Sequence, residues 1–294
     1  MDTKAGFIAV IGRPNAGKST FLNTLLGEKL ALVSHKVNAT RKRMNLVFTK
    51  DDVQMIFVDT PGIDKQKKML NAFMLKEAMK AMQDCDFLLF LSPIHDKINF
   101  YQEFLENIED KPHMLLLTKV DTASKEEILK KIKAYEKYQD FYKALIPISS
   151  KDNGSLKKVI EVLATFMPKN PFYYDDAILS PNTTREIVKE MIRESCFNNL
   201  SDELPYESDV IVRTYQEKLN IDYIKAEIIV LKQSQKGVVI GKNATTLKRI
   251  GKEARGTIEK FLNKKIYLEL IVKVVPNWNK QKDKLKKIGY NFEY

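Results

Sequence analysis

Eight residues near the N-terminus, Gly12-Arg-Pro-Asn-Ala-Gly-Lys-Ser19, have the types and spacing needed to hold a phosphate chain. The glycines let several backbone N–H groups turn toward one anion, the lysine adds a point charge, and the serine offers a hydroxyl for Mg2+. The loop follows the apolar run Phe7–Ile11 and precedes the helical pattern Thr20–Leu26, so the positive end of a helix faces the same phosphates. On this reading Asn15, Ala16, Gly17, Lys18, Ser19 and Thr20 line a phosphate chain, with Lys18 on its β- and γ-phosphates. A second group, Asp59-Thr-Pro-Gly62, ends the apolar run Val53–Val58. It supplies a carboxylate for the metal and a glycine N–H for the terminal phosphate. Together the two groups specify a bound nucleotide and Mg2+, and leave the base open.

The base is addressed by Thr118-Lys-Val-Asp121, after the run Met114–Leu117, and by Ser149-Ser-Lys151, after Leu145–Ile148. These positions resemble the N-K-x-D motif and the S-A-K loop of translation-factor-like GTPases. The resemblance implies that the Asp121 carboxylate accepts from guanine N1–H and N2–H2, that Lys119 lies along the base, and that Ser149, Ser150 and Lys151 bind the nucleotide, the backbone after Ser149 meeting guanine O6. Adenine would leave the Asp121 acceptors unpaired, which is how such a site rejects it. Two residues depart from the pattern: Thr118 stands for Asn and so removes an amide, and Ser150 stands for Ala. Thr40, in Asn38-Ala-Thr-Arg-Lys42, resembles the switch threonine that joins Mg2+ when the γ-phosphate is present, giving Ser19, Thr40 and Asp59 as the implied metal ligands. Ile63 stands where Ras-like GTPases carry a water-orienting Gln, so a slow intrinsic hydrolysis is expected, resting on Lys18, Thr40, Gly62 and Asn15. In related GTPases with a hydrophobic residue at that place the loop asparagine, here Asn15, can help hold a K+ that supplies the charge otherwise brought by an arginine finger.

Loops of this kind must be presented by a rigid frame, and the chain alternates short apolar runs with longer helical patterns through its first half. Phe7–Ile11, Val53–Val58, Phe87–Leu91, Met114–Leu117 and Leu145–Ile148 predict a parallel sheet covered by helices. Met44–Thr49 is joined to the next run by Lys50-Asp-Asp52, too short for a crossover, which predicts one antiparallel strand in a hairpin. A helix carrying Met69, Met74, Met79 and Met82 is expected to pack its methionines into the core rather than present them to a partner. From Pro168 to Pro181 the sequence is rich in Pro and aromatics and reads as a linker. Beyond it lie a helix from about Thr184 to Asn198, strands at Val210–Tyr215 and Tyr223–Leu231, a helix after Lys242 and a strand at Ile266–Val275, an α-β-β-α-β order that marks a separate domain. The 294 residues thus divide into 1–168, a linker 169–182, and 183–294.

The net charge of +11 sits entirely in the C-terminal part: residues 232–294 hold 16 Lys/Arg against 5 Asp/Glu, and the first 231 residues are neutral. A field segregated in this way calls for a polyanion, either nucleic acid or an anionic membrane surface. Within it, Gly237-Val-Val-Ile-Gly-Lys-Asn-Ala244 precedes a helix with a core stripe Leu247, Ile250, Ala254, Ile258 and Phe261, and with Lys248, Arg249, Lys252 and Arg255 on its other side. The segment resembles the V-I-G-x-x-G loop of K-homology domains, which clamps a single-stranded nucleic-acid backbone. That implies Gly241, Lys242, Asn243, Lys248, Arg249, Lys252 and Arg255 as RNA contacts, with Ala244 in place of the last glycine. A GTPase followed by a K-homology domain is the layout of the Era family, and Leu268–Val274, Trp278 and Leu285–Tyr290 are similar to its closing strand and helix.

The family resemblance implies an α/β P-loop GTPase domain, its sheet mostly parallel with one antiparallel strand, plus a smaller α+β type II K-homology domain. It implies a GTP/GDP switch using Mg2+ that acts as a monomer on 16S ribosomal RNA near its 3′ end during assembly of the small ribosomal subunit. Peripheral contact with an anionic membrane at the inner face of the cell membrane is a further implication. No apolar run is long enough to span a membrane and no export signal stands at Met1–Gly6, so a cytoplasmic protein is expected. Cys85 and Cys196, far apart and without metal-ligand spacing, read as reduced structural thiols.

Overall fold

The computed structural model describes residues 3–27, 40–61, 69–149 and 152–290. The main division of the chain falls between Pro181 and Asn182. Up to residue 166 the elements are β1 (Lys4–Ile11), α1 (Lys18–Leu26), β2 (Met44–Lys50), β3 (Val53–Asp59), α2 (Met69–Asp84), β4 (Phe87–Pro93), α3 (Asn99–Leu105), β5 (His113–Thr118), α4 (Lys125–Tyr135), β6 (Ala144–Pro147) and α5 (Asn153–Phe166). The six strands form one sheet in the order β2-β3-β1-β4-β5-β6. Every pairing is parallel except β2 with β3, where Lys50 lies opposite Val53 across a turn in which Asp51 takes a φ of 53°. Asp tolerates that left-handed conformation better than most residues do. β4 and β5 are buried at every position, as central strands covered on both faces must be, which explains their unbroken apolar runs.

Parallel strands deliver the loops that follow β1, β3, β5 and β6 to one edge of the sheet, the carboxyl edge where α/β folds bind ligands. On α2, Met74, Ala78, Ala81 and Met82 are buried and Met79 is exposed, while the Met69 side chain lies outside the described residues. The core role thus holds for Met74 and Met82 and not for Met79. Cys85 and Cys196 are buried and not joined in a disulfide, and burial pushes the Cys85 thiol up to about 12, which keeps it an inert thiol.

The proline- and aromatic-rich stretch is bonded to β1, β2 and β3 over most of its length. Gln54, fully buried on β3, accepts from the N–H groups of Tyr173 at 2.8 Å and Tyr174 at 3.0 Å, and donates to the Tyr174 carbonyl at 2.8 Å and to Thr49 Oγ1 at 3.1 Å. Farther along, the Val47 N–H donates to the Leu179 carbonyl at 2.8 Å, and Ser180 Oγ to the Asn45 carbonyl at 2.6 Å. The segment thereby covers the outer edge of β2, whose unpaired backbone groups would otherwise be open.

The second unit comprises α6 (Thr184–Asn199), α7 (Leu204–Glu207), β7 (Asp209–Gln216), β8 (Ile221–Val230), α8 (Gln233–Ile240), α9 (Thr245–Leu262), β9 (Lys265–Val274) and α10 (Lys282–Ile288). β7 and β8 pair antiparallel, whereas β8 and β9 pair parallel and need a crossover, supplied by α8 and α9. With the short α7 ahead of β7 and α10 after β9, the order is α-α-β-β-α-α-β-α, and Gly237–Ile240 are helical rather than part of a loop. Periodicity missed α8 because it is short and contributes one fully buried residue, Val239. On α9, Ile250, Ala254 and Ile258 recur every four residues as the buried stripe. Trp278, fully buried, donates its Nε1–H to the Glu207 carbonyl at 3.1 Å and closes the domain.

Candidate functional site

The turn after β1 is built to admit backbone where side chains would collide. A Cβ on Gly12 would lie 2.8 Å from the Leu91 carbonyl oxygen, and Gly17 takes a φ of 98° as the residue preceding α1. Asn15 is exposed at a φ of 64°, and Ala16 is fully buried. Lys18 is buried, with its ammonium donating to the carbonyls of Gly12 at 3.0 Å and Arg13 at 3.2 Å. Burial lowers it to about 8; Asp59 opposes that shift and Arg13 adds to it. Phosphate oxygens beside it would hold the charged form.

Next to the lysine, Ser19 Oγ donates to Asp59 Oδ2 at 3.0 Å, Thr40 Oγ1 donates to the same oxygen at 3.3 Å, and the two hydroxyls lie 3.3 Å apart. Three elements, α1, β3 and the segment before β2, thus converge on one cluster of hard oxygens. One carboxylate with two hydroxyls suits Mg2+, which binds few protein ligands and takes the rest of its shell from phosphates and water. Among the described residues no group of three or more His, Cys, Asp or Glu offers a rival metal site. Thr20 opens α1 half-buried. Gly62 and Ile63 lie outside the described residues.

At the end of β5, Thr118 Oγ1 donates to the Ala16 carbonyl at 2.9 Å in a buried bond. The hydroxyl that replaced the expected amide ties the base-reading loop to the phosphate loop. Lys119 follows at a φ of 59°, and Asp121 stands in a 3-10 turn, Val120–Thr122. Asp121 Oδ1 accepts from Ser149 Oγ at 3.0 Å, so the ends of β5 and β6 meet through these side chains. That use of the Ser149 hydroxyl was missed by sequence reading, which gave the residue a backbone role. Ser150 and Lys151 lie outside the described residues. Also missed was Arg13, whose guanidinium bonds both carboxylate oxygens of Asp96, a residue in the loop after β4. A variable position inside the loop motif gave no signal for it.

In the second unit, α8 ends at Gly241, with φ 73° and ψ 169°, a backbone region essentially restricted to glycine. A Cβ there would meet Thr246 Oγ1 at 2.5 Å and Thr246 N at 2.9 Å. Asn243 and Ala244 continue at φ 51° and 60°. Ala244 therefore holds the left-handed conformation for which the motif uses glycine, at a cost of roughly 1–2 kcal/mol. Lys242, Asn243, Lys248, Arg249, Lys252 and Arg255 are all exposed. The acidic Glu253 on the same helix accepts from the side-chain amides of Asn198 at 2.7 Å and Asn199 at 2.6 Å on α6.

Comparison with known proteins accounts for both units. The family described as 50S ribosome-binding GTPase matches residues 7–119, and the KH domain family matches residues 191–279. GTPase Era of Helicobacter pylori (strain G27) is 46% identical over 295 residues, covering 99% of this chain and 98% of that protein. The structure is similar, with a TM-score of 0.94 and 30% identity, to a variant of Aquifex aeolicus Era bound to GDP·AlF4−, over 99% of this chain and 100% of that one. It is equally similar to Era in complex with MgGDPNP and nucleotides 1506–1542 of 16S ribosomal RNA. With identity at this level sustained from one end of the sequence to the other, this chain belongs to the Era family of GTPases.

Proposed function

We propose that this GTPase binds GTP with Mg2+ at the loop Gly12–Ser19, hydrolyses it slowly, and uses its nucleotide state to control how the KH domain holds the 3′ region of 16S ribosomal RNA. In this reading Ser19, Thr40 and Asp59 hold the metal, and Asp121 selects guanine. Bound Mg2+ would neutralise charge on the β- and γ-phosphates. Asn15, exposed at the lip of the loop, would carry the K+ that compensates for a missing water-orienting side chain at position 63. The observation that carries the RNA assignment is the turn at Gly241–Ala244, with its glycine-only backbone and exposed cations, in a fold that superposes on an Era structure holding a 16S fragment. The proposed setting is the cytoplasm, with the protein acting as a monomer in rRNA processing and small-subunit assembly.

Among the described residues no helix is long and apolar enough to cross a membrane. A short single-stranded RNA from the 3′ end of 16S ribosomal RNA, titrated with GDP and with a non-hydrolysable GTP analogue, decides between RNA and an anionic lipid surface as partner of the basic domain. Nucleotide-dependent RNA binding that is lost in Gly241→Asp is the expected result. Weak binding indifferent to nucleotide, alongside firm binding to phosphatidylserine vesicles, would put the lipid surface in its place.

A further inference from the structure

Arg13 belongs to the phosphate loop by sequence, yet its side chain turns outward. Its guanidinium forms a two-pronged pair with Asp96 and lies 5.8 Å from the ring centre of Phe100 on α3. The Asp96 side chain is 5% exposed against 38% for Arg13, so the acidic partner is the buried one. Asp96 is itself fixed on both sides: its N–H donates to the Pro93 carbonyl at 2.9 Å, and its carbonyl accepts from the Lys131 ammonium on α4. An arginine and a carboxylate joined by two parallel bonds specify orientation as well as proximity.

The backbone of the same arginine faces inward. The Arg13 carbonyl accepts from the Ala16 N–H at 3.2 Å, which closes the loop, and from the Lys18 ammonium at 3.2 Å. Side chain and carbonyl of one residue are thus both anchored, the one to the loop after β4 and the other within the phosphate loop itself. We propose that Asp96 is a positioning residue for nucleotide binding, gripping Arg13 so that the loop backbone and Lys18 are held ready for the phosphates. Pro14, with its restricted φ, transmits the grip to Asn15 and Ala16 with little slack. The inference rests on the GTP site placed at Gly12–Ser19 and adds a residue that no loop motif contains.

The test uses the full chain. Asp96→Asn keeps the shape and one bond but removes the charge. It is expected to raise KM for GTP about tenfold with kcat within twofold of the parent, a size common for residues coupled in one hydrogen-bonded network. Arg13→Gln should produce the same change, and the double variant should be no worse than either single one. Asp96→Glu, which retains the charge, should recover part of the loss. If Asp96→Asn fails to fold, the more exposed Arg13→Gln carries the test. An unchanged KM in Arg13→Gln, additive effects in the double variant, or a loss confined to kcat would each overturn the proposal. The site placement itself is read separately by Lys18→Ala, which should abolish GTP binding. If it does not, the premise has failed rather than the role of Asp96.

Discussion

Thr118 shows how one side chain can depart from a motif and keep the mechanics. Its hydroxyl is buried and donates to the Ala16 carbonyl at 2.9 Å, so it joins the loop after β1, proposed to meet phosphates, to the loop after β5, proposed to meet the base. Thr118→Val removes the donor and keeps the branched shape. The Ala16 carbonyl then lies buried without that donor, at a cost of about 1–3 kcal/mol. If most of this falls on the bound-loop geometry, GDP affinity drops roughly tenfold, since about 1.4 kcal/mol corresponds to one decade. Titration with a fluorescent GDP measures it, with Thr118→Asn retaining most of the affinity because an amide can donate to the same carbonyl. Equal affinities for Thr118→Val and the parent would show that the two loops are positioned without this bond.

The hairpin β2–β3 connects Thr40 at one end with Asp59 at the other, and the segment at 170–180 is tied to it chiefly by Gln54. The amide of Gln54 satisfies both polar atoms at once, which a fully buried amide requires. Gln54→Leu keeps the volume and breaks the bonds to Tyr173 and Tyr174. Their backbone groups lie near the surface and regain water, so the expected loss is about 2 kcal/mol, within the range for a buried polar network broken on one side. Hydrogen exchange at the Tyr173 and Tyr174 amides should speed up more than tenfold while the exchange of β1 and β4 amides holds. Exchange at Tyr173 and Tyr174 unchanged from the parent would mean that the segment is held by other contacts. The strand order was legible in the sequence because buried parallel strands write themselves as apolar runs, and the hairpin because three residues cannot cross a sheet. Gln54 was not legible, since a polar residue inside an apolar run has no periodic signature until its partners, about 120 positions away, are folded against it. The short helix α8 and the pair Arg13–Asp96 escaped for related reasons: one has a single buried residue, and the other joins positions that motifs leave free. The proposed nucleotide loops stand out in the sequence because such chemistry demands fixed residue types at fixed spacing.

On the scale of the whole chain, the most informative property is where the charge lies. Residues 1–231 are neutral and residues 232–294 carry +11, so salt should act differently on the two activities. Nucleotide binding, proposed for the Gly12–Ser19 loop, would depend on buried donors and a metal, which ions in solution screen little. RNA binding, proposed for α8–α9, would depend on exposed cations that release counterions, and its logarithm should fall linearly with log salt at about −0.7 per phosphate contacted for a single strand. If Lys242, Lys248, Arg249, Lys252 and Arg255 each meet a phosphate, the slope is about −3.5, and Lys248→Gln with Lys252→Gln together flatten it by about 1.4. Gly241→Asp should behave differently, lowering affinity at every salt concentration because it closes the turn against the backbone, since the added Cβ meets Thr246 Oγ1 at 2.5 Å. The measurement is RNA affinity at four or five KCl concentrations for the three proteins. A slope unmoved by the paired lysine substitutions would show that the strand lies on another part of the basic domain, and the cations of α9 would then serve solubility alone.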